Sequence, residues 1–247
     1  MGTQLNGRVA LVTGASRGIG AGIATRLAAD GAAVALTWSS SPDNAERVVK
    51  EITAAGGTAI AIQADAADEQ QVRASVEQTV TAFGGLDVLV ANAGIAGMKP
   101  VEQTTLADFD RVFAVNVRGV YAGVLAALPH LPEGGRIITV GSSVANRTPF
   151  PGGGVYTASK SALTGLVRAL ARDLGPRGIT VNNVQPGPVG TDMNPADGPD
   201  SAAMHGVMAL SGHGTPADVG SLVSYLAGPE SRFITGASLD IDGGWSA

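Results

Sequence analysis

Short runs of apolar, often β-branched residues alternate along the chain with longer stretches of helical pattern. The short runs are RVALVTG (8–14), AAVALTW (32–38), TAIAIQAD (58–65), LDVLVANAG (86–94), GRIITVGS (135–142), GITVNNVQPG (178–187) and GASLDIDGG (236–244). They are apolar on both faces, as strands are when helices cover both sides of a sheet. The longer stretches predict helices at about 18–30, 43–55, 68–83, 104–128, 155–174 and 216–227. Strand–helix alternation of this kind predicts an α/β fold with parallel strands joined by right-handed crossovers. The irregular segment 188–214 follows the sixth strand, at the sheet edge where such folds bind ligands. A segment of that length in a compact domain is usually functional, so a substrate lid is expected there. Met193, Met204 and Met208, three of only five methionines, suit an apolar pocket beneath it.

Composition narrows the class. The 247 residues are 45% hydrophobic and 15% charged, with a net charge of −5 and no cysteine. That is a globular chain with neither the basic surface of a nucleic-acid or membrane binder nor any disulfide or thiolate metal site. No linker, charge run or repeat divides it, so a single domain over 1–247 is expected. The opening MGTQLNGRVALVTG lacks the basic flank and apolar run of a signal peptide, and Gly2 is followed by Asn6 where a myristoylation motif needs Ser or Thr. The expected location is the cytoplasm. His205 and His213, with Asp192, Asp197 and Asp200 upstream, fit no standard metal spacing, so no metal is expected and both histidines read as solvated loop residues.

Two motifs carry the chemistry. TGASRGIG (13–20) joins the first strand to the first helix, with Gly14, Gly18 and Gly20 spaced G-x-x-x-G-x-G around Ser16, Arg17 and Ile19. Small residues there let the backbone approach a pyrophosphate, and the helix N-terminus favours its charge. The second strand ends in Trp38, Ser39 and Ser40, and no acid lies between Gly31 and Pro42. A carboxylate at this point would suit a free ribose 2′-hydroxyl. Hydroxyls, with Arg17 opposite, suit a 2′-phosphate instead, which predicts NADP(H). The second motif is YTASK (156–160), which puts Tyr156 and Lys160 on one helix face with small residues between them. A phenol of pKa ~10 can protonate a developing oxyanion, and a nearby ammonium favours its phenolate for the reverse reaction.

These pieces, with NAG (92–94), Asn116 in VNVRG, GSS before YTASK, QPGPVGT (185–191) and IDGGW (241–245), resemble the short-chain dehydrogenase/reductase family over essentially the whole chain. The likeness is to its ketoacyl-carrier-protein-reductase-like branch. The C-terminal third is also similar to a bacterial member described as a cyclic-di-GMP-binding regulator. The resemblance implies a Rossmann fold with a seven-stranded parallel sheet in the order 3-2-1-4-5-6-7, and an NADPH-dependent reduction of a small-molecule ketone, reversible as an alcohol dehydrogenase. It implies Tyr156 as general acid and base, supported by Lys160, which also holds the nicotinamide ribose. Asn116 would hold a structural water on a proton path from Lys160. Asp65, beside Ala66, would meet the adenine amino group. Asn92, Ala93 and Gly94 would line the adenosine ribose, and Pro186, Gly187, Val189 and Thr191 would meet the nicotinamide and pyrophosphate. One serine should hold the substrate oxygen. Counting back the family's usual thirteen residues from Tyr156 gives Ser143, whereas the strand ending IITVGS gives Ser142. We read Ser142, because strand position fixes a side chain while glycine-rich loops absorb insertions. The family also implies a homotetramer built on the helices at 104–128 and 155–174. Two alternatives stay open: a 3-oxoacyl-carrier-protein reductase, which needs a basic docking patch that only Lys99 and Arg147 could supply, and a cyclic-di-GMP-binding regulator.

Overall fold

The computed structural model describes residues 4–247, so Gly2 lies outside it. Val9–Val12 (β1), Ala33–Trp38 (β2), Thr58–Gln63 (β3), Val88–Ala91 (β4), Arg136–Val140 (β5), Thr180–Pro186 (β6) and Ser238–Ile241 (β7) form one parallel sheet. Its order is β3-β2-β1-β4-β5-β6-β7, as the resemblance implied. The helices are Gly18–Ala29 (α1), Pro42–Ala54 (α2), Glu69–Phe83 (α3), Leu106–Phe113 (α4), Gly119–Ala127 (α5), Gly154–Leu174 (α6), Ser201–His205 (α7) and Pro216–Ala227 (α8).

The apolar runs become strands because both of their faces are needed. On β1, Ala10 and Val12 join the core formed with Ile23 and Leu27 of α1 and Val219 and Val223 of α8. Leu11, between them, points to the opposite core with Val76, Val124 and Val167. Burying each large side chain contributes roughly 1.5–3 kcal/mol. Helix ends follow local chemistry. Asp68 caps α3 by accepting from the amides of Gln70 and Gln71, and Gly84 ends it with φ +83°. Thr105 with Asp108, and Thr215 with Asp218, form reciprocal capping boxes on α4 and α8.

The structure departs from the periodicity in two places. The pattern at 104–128 predicts one helix, but a π-helical turn, Ala114–Arg118, separates α4 from α5 and carries Asn116. Such wide turns cluster at functional sites. The segment 188–214 is more ordered than its composition suggests. Gly190 N donates to Gly214 O, Gly214 N donates to Pro188 O, and Leu210 N donates to Gly243 O, so the segment is closed at its base and fastened to the C-terminal turn.

Candidate active site

The site is built at the C-terminal ends of the strands, where the β1 and β4 loops touch. Gly14 has φ +63°, and a Cβ there would lie 2.8 Å from Ala93 Cα, so no other residue allows this approach. Thr13 Oγ1 accepts from the amides of Asn92 and Ala93 at 3.1 and 3.0 Å, and Asn92 Nδ2 donates to Thr13 O and Gly14 O at 2.9 and 3.0 Å. Thr37 Oγ1 accepts from Gly14 N at 2.9 Å. The glycine loop is thus pinned from both neighbouring strands. Arg17, the N-cap of α1, makes no side-chain cap bond, which leaves the first amides of that helix to a ligand.

Beside this loop runs a cleft of about 330 Å³. Gly14, Ser16, Arg17, Gly18, Ile19 and Gly20 line one wall; Trp38, Ser39, Ser40, Asp65 and Ala66 line the end nearest β2 and β3. Asn92, Ala93, Gly94, Tyr156, Lys160 and Thr191 complete it. Three residues expected there do not line it. Pro186 is buried in β6 opposite Ile241. Gly187 faces Asp242, whose Cα lies 2.6 Å from where a Cβ would stand, and Val189 is core. Ser41, Ile95, Val115, Gly141 and Asp192, which the sequence did not mark as site residues, also line the cleft, as does Met193 of the expected lid. Asp192 and Met193 belong to a segment whose path no local pattern sets. Asp192 pairs with Arg17 at 3.6 Å across the mouth.

Tyr156 and Lys160 rise from the first two turns of α6. Lys160 is buried, at 4% exposure, with Nζ donating to Val140 O at 2.8 Å and 5.9 Å from the centre of the Tyr156 ring. Burial lowers its pKa to about 8. Burial also raises the Tyr156 phenol above its ordinary value, against a smaller opposing effect of the neighbouring Ser142 hydroxyl. Lys160 thus stands beside the phenol with its ammonium held by Val140 O. Ser142 is the serine nearer the phenol, its Oγ accepting from Val144 N at 3.4 Å; Ser143 starts a short 3-10 turn, Ser143–Ala145, with its side chain buried.

Asn116 is fully buried behind the cleft. Its Oδ1 accepts from Ile95 N at 2.9 Å, and its Nδ2 donates to Ile95 O and Ser159 Oγ at 3.0 Å each. It clamps the β4 loop to α6. A Cβ on Gly94 would lie 3.2 Å from Lys160 Nζ and 3.4 Å from Asn116 Oδ1, so the absence of a side chain at 94 keeps the approach to both open. The histidines of the 188–214 segment are not simply solvated: His205 Nε2 and His213 Nδ1 lie 2.7 Å apart. Desolvation and the facing His205 both lower the His213 pKa.

Residues 14–246 match the family model described as Enoyl-(Acyl carrier protein) reductase, a model of short-chain dehydrogenases/reductases. A cyclic-di-GMP-binding biofilm dispersal mediator protein of Escherichia coli is 46% identical over 241 residues, covering 98% of each chain. A versicolorin reductase of Emericella nidulans is 41% identical over 254 residues, covering 98% of this chain and 96% of its own. The crystal structure of a short-chain dehydrogenase from Burkholderia cenocepacia in complex with NADP superposes with a TM-score of 0.97 at 54% identity, over 99% of this chain and 100% of the other. With the glycine loop, the Tyr156–Lys160 pair and the sheet order agreeing along its whole length, the chain belongs to the short-chain dehydrogenase/reductase family of oxidoreductases.

Proposed function

We propose that this chain is an NADPH-dependent carbonyl reductase, running in reverse as an alcohol dehydrogenase. The observation that carries the reading is the Tyr156 phenol beside a buried Lys160, at one end of a cleft whose other end is a glycine loop, with Ser142 just behind it after β5. The residues present fit the cofactor. Gly14 and Gly18 leave room for a diphosphate at the uncapped start of α1, and Arg17, Ser39 and Ser40 offer charge and hydroxyls to a 2′-phosphate with no acid at the end of β2. Asp65, Asn92 and Gly94 flank the adenosine end, and Lys160 and Thr191 the nicotinamide end. The NADP and NADPH complexes of similar structures agree with this. When bound, NADPH supplies the hydride.

The chain's own groups do the rest. Ser142 donates to the carbonyl oxygen and holds it in place. Tyr156 donates the proton to that oxygen; its raised pKa keeps the phenol protonated at neutral pH, as reduction requires. Lys160, held by Val140 O, places its positive charge beside the phenol, and Asn116 fixes the wall behind it. Tyr156→Phe should bind NADPH within about threefold of wild type and lose ketone reduction by ~10²–10⁴-fold. Retention of more than about a tenth of wild-type turnover would overturn the assignment, read by NADPH oxidation and a fluorescence titration.

A second reading draws on the Escherichia coli relative: a cyclic dinucleotide bound in the same cleft, its phosphates at the glycine loop and Arg17. The complete Ser142, Tyr156 and Lys160 set favours turnover, since a binder has no use for a proton donor. Calorimetric titration with NADPH and with cyclic-di-GMP separates the two. The carrier-protein reductase reading has less support. Lys99 is paired with Asp108 at 2.8 Å and Arg147 donates to Trp245 O at 2.9 Å, so neither cation is free for docking.

A further inference from the structure

Asp240 lies on β7 at the sheet edge, outside the cleft and exposed to solvent, with its carboxylate held by two side chains. Oδ1 accepts from Gln185 Nε2 at 2.7 Å, and both oxygens accept from Asn146 Nδ2 at 2.9 Å. Each partner leads into a different half of the site. Asn146 closes the turn Ser143–Ala145, which Ser142 opens: Asn146 N donates to Ser143 O and Ala145 N to Ser142 O, both at 3.0 Å. Gln185 is fully buried, and its Oε1 accepts from Thr164 Oγ1 at 3.2 Å and from Asn183 Nδ2 at 3.0 Å. Thr164 stands on α6, one turn beyond Lys160 and two beyond Tyr156.

The direction of these bonds is set by the carboxylate. Thr139 donates to Asn183, Asn183 to Gln185, and Gln185 to Asp240, so the chain ends on an acceptor that has no proton to give. A bond to a carboxylate is about twice as strong as one between neutral groups. It holds the Gln185 amide with its nitrogen toward β7 and its oxygen toward Thr164. Lys160 ties α6 to the end of β5 at Val140, and Thr148 meets Thr157 at 3.2 Å nearer the cleft. Thr148 also donates to Val144 O at 2.9 Å, so it braces the turn after Ser142 from the α6 side, whereas Asp240 braces it from β7.

We propose that Asp240 is a positioning residue: through Asn146 on one side and Gln185 and Thr164 on the other, its carboxylate sets the spacing between the Ser142 hydroxyl and the Tyr156–Lys160 pair. This rests on the reading of Ser142 and Tyr156 as the pair that meets the carbonyl oxygen. Three variants test it. Asn146→Asp faces carboxylate with carboxylate and breaks the link; Asp240→Asn weakens it; the double variant exchanges donor and acceptor and restores it. In the full-length protein, Asn146→Asp should lower kcat for ketone reduction about tenfold, the scale expected of a small misplacement of reacting groups. NADPH affinity should stay within about twofold, and the double variant should recover most of the loss. Amide hydrogen exchange over 143–148 should quicken in Asn146→Asp, return in the double variant and stay unchanged over 13–20. Unaltered exchange and kcat in Asn146→Asp, or no recovery in the double variant, would overturn the proposal. A wild-type protein that reduces no ketone would sink the functional reading instead, while the exchange data would still decide the link.

Discussion

Two adjacent serines follow β5, and their neighbours give them different work. Ser142 continues the extended chain, whereas Ser143 opens the 3-10 turn and points inward, so only Ser142 is placed to share an oxygen with Tyr156. Ser142 lies nearer the phenol; the Ser143 side chain is 1% exposed. Ser142→Ala should therefore lose ~10²–10³-fold in kcat, the usual cost of removing an oxyanion donor, and Ser143→Ala less than about tenfold. The opposite order in steady-state kinetics would mean that distance to the tyrosine, rather than strand register, selects the serine. At the other end of the cleft, Ser39 is exposed where an acid would reject a 2′-phosphate. NADPH should outcompete NADH in kcat/KM, and Ser39→Asp should move the preference toward NADH. Equal kcat/KM for the two cofactors in the wild type would count against the argument.

Among the elements, the 188–214 segment holds the least expected contact. His205 at the end of α7 and His213 before α8 meet nitrogen to nitrogen, which requires at least one of them to be neutral. The His213 pKa lies below its ordinary 6.5, so the folded segment binds fewer protons than the unfolded one. Its ordering is favoured above about 6.5 and weakened as pH falls through that value. Hydrogen exchange over 201–214, corrected for the intrinsic pH effect, should quicken on acidification, and His213→Gln should abolish the response. A flat pH profile in the wild type would remove any role for the pair. The methionines of this segment divide: Met193 lines the cleft, while Met208 packs on Gly243 of the C-terminal turn.

For the whole molecule, two groups of exposed apolar side chains lie away from the cleft and the 188–214 segment. Leu106, Phe109, Tyr121 and Leu125 are exposed on α4 and α5, with Leu106 at 82%, and Ala158 and Ala169 are exposed on α6. Phe233, 94% exposed, and Tyr225 lie toward β7 and α8. Apolar surface of this kind marks association sites. Two self-complementary patches on one chain build a tetramer with two-fold symmetries. We expect a homotetramer by light scattering at micromolar concentration; a monomer there would reject the expectation.

The strands, most of the helix spans and the two chemical motifs were legible in the sequence because each depends on short-range chemistry, while the sheet order and the rest of the cleft came through the family resemblance. Apolar runs buried on both faces have to be central strands. Gly14 answers a backbone angle, and Tyr156 and Lys160 share a helix face at a spacing of four whatever surrounds the helix. What lay out of reach depended on which loops meet. The π turn at Asn116 leaves no mark in a helical pattern, and the tight approach of Gly187 to Asp242 followed only once β6 and β7 were paired. The upward shift of the Tyr156 phenol comes first from burial, a property of the packed molecule. Asp240 shows the limit most plainly. It is distant in sequence from both Asn146 and Thr164, and only the closing of β7 onto β6 brings its carboxylate between the turn of Ser142 and the helix of Tyr156.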